Sequence, residues 1–256
     1  MKVKKSIILM IIFSLILLLC SSYITIDWTS FIFTNSKVNL CTLKYSEIAK
    51  LSVSFLCACI VFLIGNDGYN KHETNALKNA FIAIFIGDLL FFFNFEYMAG
   101  VVFCIAHVLL IVRNAAGMKA FFRNKGLESE KAKVALIFSG SLLLYISVIM
   151  FIFYPKLQGK EILYLVMGYS LLLCISLWIA WSSIIVGYIP AVNALITALG
   201  ISFFFLCDLT VGINFLFNEG FLKTIAPYIT WTFYTPALVL IALSGYLKNP
   251  LGFKQH

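Results

Sequence analysis

The chain has 256 residues, of which 62% are hydrophobic and only 12% charged, and it carries a formal net charge of +8. A soluble domain is roughly half apolar and a quarter charged, so a water-soluble fold is excluded. The positive charge does not point to a nucleic-acid partner either, because it is gathered between apolar runs where a membrane surface would meet it.

The apolar runs come in blocks long enough to cross a hydrocarbon core of about 30 Å at 1.5 Å per residue. They lie near residues 6–26, 46–64, 76–94, 97–114, 133–153, 162–184, 190–217 and 225–246. The expected fold is therefore an all-α integral membrane protein: a bundle of about eight transmembrane helices forming a single membrane domain over 1–256. The first run follows Met1-Lys2-Val3-Lys4-Lys5 and has the flavour of a secretory leader. It exceeds the usual 7–15-residue leader core and no small-x-small site follows it, so it reads as the first span.

The second run holds Lys50 and ends at Gly65-Asn66-Asp67-Gly68, a turn. The third holds Asp88 and the fourth His107, with two or three residues around Phe95 and Glu96 between them, so these two form an antiparallel hairpin. The basic stretch from Arg113 to Lys133 reads as a solvated loop touching anionic headgroups. Asp208 lies in the seventh run, and Pro236 is placed to kink the eighth. No loop is long enough for a soluble domain.

Orientation follows from the basic residues. With the N-terminus inside, Lys2, Lys4, Lys5, Lys71, Lys78, Arg113, Lys119, Arg123, Lys125, Lys131, Lys133, Lys248 and Lys254 share the inner face, against Lys37, Lys44, Lys156, Lys160 and Lys223 opposite. Both termini are thus expected in the cytoplasm, with the chain in a plasma membrane, a bacterial inner or cytoplasmic membrane. Six of the seven cysteines sit inside apolar runs and Cys41 in a loop, which suggests no disulfide framework.

An ionisable side chain at membrane depth costs a few kcal/mol on insertion scales and usually faces the bundle interior. Lys50, Asp88, His107 and Asp208 are the clear cases. Counted from the outer ends of their spans, they fall in a band roughly 6 to 15 Å deep, compatible with one shared cavity. Interhelical glue, or an ion pair between Lys50 and Asp88, accounts for the same residues. Phe85-x-x-Asp88-Leu89 with Asn94-Phe95 also recurs as Phe205-x-x-Asp208-Leu209 with Asn214-Phe215. Both copies run in the same direction, as in parallel duplications. No nucleophile elbow, P-loop or dinucleotide fingerprint is present. No metal or other cofactor is expected, although His107 and the two aspartates are a donor set that zinc accepts.

Ile86-Gly87-Asp88-Leu89-Leu90, then Gly100, then Phe103-Cys104-Ile105-Ala106-His107, resembles the Gly-Asp and Phe-x-x-Ala-His signature of the YhhN-type lysoplasmalogenase family. The stretch from Gly200 to Asp208 is similar to the family's second acidic span, and Trp231-Thr232-Phe233-Tyr234 to its last. Departures stand at Leu51 where proline is common, Leu110 where tyrosine is usual, Cys207 for serine and Leu238 for glutamine; they bear on substrate choice. The resemblance implies hydrolysis of the vinyl ether of lysoplasmalogens, drawn as lysophospholipid from the bilayer.

Such cleavage protonates the β-carbon of the vinyl ether, and water captures the oxocarbenium that results. It needs one carboxylic acid and one carboxylate, the division of labour found in glycosidases. An apolar cavity disfavours ionised carboxyls, and a neighbouring carboxyl does so further for one member of a pair. Asp88 and Asp208 are the expected pair, with His107 positioning one of them or relaying a proton. Lys50, Tyr234 and Asn214 are expected to bind substrate, Lys50 by its phosphate unless it neutralises Asp88. A small proton-coupled transporter or a non-catalytic lipid-binding relative are the other classes open to this sequence.

Overall fold

The computed structural model describes residues 2–33, 40–68, 70–115, 118, 130–158, 162–216 and 219–246. Eight α-helices account for nearly all of them: α1 Lys2–Ile32, α2 Leu40–Phe62, α3 Lys71–Phe92, α4 Glu96–Asn114, α5 Glu130–Leu157, α6 Ile162–Val186, α7 Ala191–Leu216 and α8 Phe221–Leu243. No strand occurs among the described residues, as expected where lipid cannot satisfy backbone polar groups and each helix bonds its own. Seven helices, all but α5, are long and apolar enough to cross a membrane among the described residues. The 28-residue α5 encloses the apolar run 133–153.

The helices close into a ring in which α2, α3, α4, α6, α7 and α8 each pack against the next and α8 returns to α2. Outside it, α1 lies against α2 and α8, while α5 lies against α6. Two glycines allow the tightest crossings. A Cβ on Gly87 would stand 2.8 Å from the Phe103 ring of α4, and one on Gly200 would stand 2.8 Å from Ile241 Cγ1 and 3.1 Å from its backbone nitrogen in α8. The core between the helices is filled by fully buried Phe81, Ile84, Leu110, Phe204 and Leu238.

The hairpin between α3 and α4 is made by three residues, Phe93 to Phe95. Asn94 adopts φ +62°, the left-handed conformation that asparagine tolerates at a helix end. The Phe95 amide donates to Leu90 O at 2.8 Å and the Asn94 amide to Phe91 O at 2.9 Å, so the last carbonyls of α3 are capped within the turn.

At the opposite end the ring is sealed by polar contacts. Asn193 Nδ2 of α7 donates to Ser244 O (2.9 Å) and Tyr246 O (2.6 Å), and Arg113 Nη2 of α4 donates to Ser244 O at 3.1 Å. Tyr246 Oη donates to Ile60 O at 2.8 Å, and Tyr246 pairs with Gly68 in an isolated bridge. Lys5 of α1 pairs with Asp67 and donates to Ile64 O. Arg113 is 3% exposed, so it belongs to this seal and not to a solvated loop. The rest of that basic cluster before Glu130, Lys37, and the tail with Lys248, Lys254 and His256 lie outside the described residues.

Three helix ends lie five or six residues outside the sequence reading, one of them the start of α3, at Lys71 and not near 76. Helix α1 runs six residues past 26 and carries Asp27 inside it, and α2 starts at Leu40, so Cys41 is helical and not in a loop. Hydropathy marks the apolar stretch alone, whereas a helix continues for as long as its backbone bonds are satisfied.

Candidate active site

A cavity of about 890 Å3 lies within the ring, in the half that contains the α3–α4 hairpin. Exposed Glu47, Glu96 and Tyr97 stand at its rim, and Phe91, Phe103, Leu165, Leu173, Phe205 and Trp231 are among its apolar walls. Asp88, Asp208, Lys50, Tyr234 and Asn214 all line it. His107 does not; it stands fully buried behind Asp208.

Asp88 comes from the last turns of α3 and is 7% exposed. Tyr234 Oη of α8 donates to both of its oxygens at 2.8 Å, and the Ser54 hydroxyl of α2 donates to Oδ2. Among the described residues, every hydrogen-bonding side chain on this carboxyl is therefore a hydroxyl.

Asp208 projects from α7 into the same cavity, within electrostatic reach of Asp88. Its Oδ2 accepts from Tyr169 Oη of α6 at 2.8 Å. His107 Nε2 lies 3.4 Å from the same oxygen, close enough for an ion pair but not aligned as a hydrogen bond. The imidazole is wedged between Phe204 and Tyr169, with ring centroids 4.8 and 5.6 Å away. Phe204 also meets Tyr234 edge-on at 5.5 Å, so a run of touching rings links the two carboxyl sites.

Lys50 is not paired with Asp88. Its ammonium lies 2.7 Å from Asp27 Oδ2 and over the rings of Trp231 (5.4 Å) and Tyr23 (5.8 Å). Ser46 donates to the other Asp27 oxygen at 2.6 Å, so that carboxylate accepts through both oxygens while the ammonium keeps donors to spare beside the cavity. Tyr23 is itself held through its hydroxyl, 2.6 Å from Thr235 Oγ1.

The duplicated motif has two structural outcomes. Both aspartates and both asparagines reach the cavity, yet Asn94 sits in the hairpin while Asn214 lies inside α7 and accepts from Lys223 through its backbone oxygen. The Phe215 side chain lies outside the described residues. The departures differ in place as well: Leu51 and Cys207 line the cavity, whereas Leu110 and Leu238 are fully buried in the core. Among the described residues no three His, Cys, Asp or Glu side chains converge in a way that holds a metal ion.

Asp27, Ser54 and Tyr169 escaped the sequence reading. Asp27 stands one residue beyond the first apolar run. Ser54 falls one helical turn after Lys50, on the same face, which was its one available signal. Tyr169 is one of 12 tyrosines and nothing in its neighbourhood marks it.

A ring of membrane-spanning helices around an acidic cavity, open at one end and sealed at the other among the described residues, defines a multi-pass membrane protein with an internal reaction or binding chamber. The chain belongs to the YhhN family, whose pattern matches residues 46–245. That segment runs from Ser46, buried in the cavity wall, to Gly245 beside the seal and leaves α1 outside. No curated protein and no solved structure matches the chain.

Proposed function

We propose that this protein is a membrane-embedded hydrolase that cleaves the vinyl ether bond of lysoplasmalogens, releasing a fatty aldehyde and a glycerophospho-headgroup. The observation that carries this reading is the opening of Asp88 and Asp208, from different helices, onto one cavity of about 890 Å3. That size is within the range of pockets that enclose small organic ligands. Two carboxyls facing one chamber with apolar walls match the need for one acid and one carboxylate around a single bond. Membership of the YhhN family supports the same reaction class.

The other residues take roles consistent with it. Lys50 holds the substrate phosphate with the donors that Asp27 leaves free, while Tyr234 and Asn214 position the glycerol side near the acids. The lysolipid enters from the bilayer with its alkenyl chain against the phenylalanine-rich walls. Both termini lie in the cytoplasm and the cavity opens toward the outer face of a bacterial cytoplasmic membrane, in keeping with the bias of basic residues.

The test is aldehyde release by the purified protein in detergent, offered a lysoplasmalogen and the ester lysolipid of the same chain and headgroup. Aldehyde is expected from the first alone, and Asp88→Asn or Asp208→Asn should lower the rate by at least 100-fold, the lower range of acid–base catalysis. Full activity in both variants refutes the proposal. Transport of solute into sealed vesicles, with no aldehyde formed, places the protein among carriers.

A further inference from the structure

The two aspartates are interchangeable in sequence but not in surroundings. Resting on the hydrolase reading for its chemistry, we propose that Asp88 carries the proton delivered to the vinyl carbon and that Asp208 is the standing carboxylate. Ser54 and Tyr234 act as positioning residues for the first, and His107 and Tyr169 for the second.

The argument is an inventory of what each carboxyl touches. Among the described residues Asp88 meets only the hydroxyls of Ser54 and Tyr234. A hydroxyl both donates and accepts, so Ser54 Oγ can receive an O–H from Asp88 while Tyr234 donates to the other oxygen. Neither hydroxyl competes with a carboxylate for a proton, and Lys50, the one Lys or Arg on the cavity wall among the described residues, is paired with Asp27. A buried carboxylate without a cation is costly, so the proton stays on Asp88.

Asp208 has the opposite set. His107 Nε2 stands 3.4 Å from its Oδ2 and Tyr169 donates to that oxygen at 2.8 Å. An imidazole nitrogen can take a proton and face the carboxylate as a cation, which the hydroxyl partners of Asp88 cannot do, so this carboxyl is the one with a built-in counter-ion. The packed rings of Phe204 and Tyr169 keep the imidazole where it serves Asp208 and not the cavity. Of the other carboxylates on the cavity among the described residues, Asp27 is held by Lys50 and Ser46, and Glu47 and Glu96 stand exposed at the rim.

The reaction then closes on itself. Asp88 gives its proton to the β-carbon as the vinyl π electrons form the C–H bond, leaving an oxocarbenium opposite the Asp208 carboxylate. Water adds to the cationic carbon and its proton passes to Asp208. The hemiacetal O–H returns a proton to Asp88, the carbon–oxygen bond to the glycerol breaks, and Asp208 protonates the departing oxygen. Both side chains end as they began, and one water is consumed.

Infrared difference spectra of the purified full-length protein test the assignment without substrate, through the C=O stretch of protonated carboxylic acids. Asp88→Asn is expected to remove one such band and Asp208→Asn to leave it in place. Tyr234→Phe, which keeps both carboxyls, should move the Asp88 band to higher frequency by removing a hydrogen bond. His107→Gln should add a second band as Asp208 takes up a proton. A band lost in Asp208→Asn and kept in Asp88→Asn overturns the proposal, as does a spectrum in which neither substitution removes one. If the expected pattern holds while no aldehyde is formed, the proton assignment stands and the hydrolase reading falls; the reverse pattern with aldehyde release does the opposite.

Discussion

Replacing Asp27 by Asn should destabilise the protein by about 3 kcal/mol, and the size of the effect follows from where the ion pair sits. The Lys50 ammonium and Asp27 carboxylate are 2.7 Å apart, and their side chains are 13% and 9% exposed. At that separation and an effective dielectric constant near 20, their gross attraction is about 6 kcal/mol. Removing one partner of a buried pair typically costs about 3–5 kcal/mol, because the other charge is left uncompensated. The amide oxygen of asparagine can still accept from the ammonium, which places the loss at the lower end of that range. At roughly 2–4 °C per kcal/mol for a chain of this size, the midpoint of thermal unfolding should fall by about 6–12 °C. Unfolding in mixed micelles followed by tryptophan fluorescence measures it. The double variant Asp27→Asn with Lys50→Met should recover at least about 2 kcal/mol relative to the sum of the single changes. Additive losses, or a single-variant cost below about 1 kcal/mol, would refute the pairing.

Two further outcomes test the packing and the seal. Gly200→Ala should cost more than Gly87→Ala, within the range of about 1–3 kcal/mol for overpacking: at Gly200 the new methyl meets backbone of α8, which cannot turn aside, and at Gly87 a Phe103 ring that can. Midpoints of thermal unfolding for the two variants give the order, and equal losses would count against the crossing geometry. Burial, and then the charge of Asp67, push the Tyr246 phenol up from its ordinary value. The neutral phenol is thus favoured in the folded state, so its contribution is complete below about pH 10 and declines as pH rises above that. Unfolding free energies of the protein and of Tyr246→Phe should therefore diverge least at alkaline pH.

The helical ring was legible because lipid imposes a length and an apolarity on every span, and eight such runs stand out from their flanks. The acidic pair was legible for the complementary reason: carboxyls at that depth are too costly to be incidental. What surrounds them was not. Lys50 finds its partner in α1 because the helix continues past its apolar stretch, and a hydropathy window that ends at 26 places Asp27 in water. Ser54 and Tyr169 are of residue types that membrane helices use freely, so only the crossing of α2 and α6 with the acidic helices singles them out. Arg113 looked like the first charge of a loop, and its burial depends on carbonyls of Ser244 that lie 131 residues away in the chain.

The capped hairpin after α3 leaves no slack. Asn94 in its left-handed conformation and the two amide bonds that close the turn fix the last turn of the helix to the start of α4, and Asp88 lies six residues upstream. Each residue of a helix advances about 100° around its axis. A single residue gained or lost between Asp88 and Asn94 would therefore swing the carboxyl a quarter-turn off the chamber without altering its chemistry or depth. The hairpin acts as the angular index of the site, and length variation in this branch of the family should fall elsewhere.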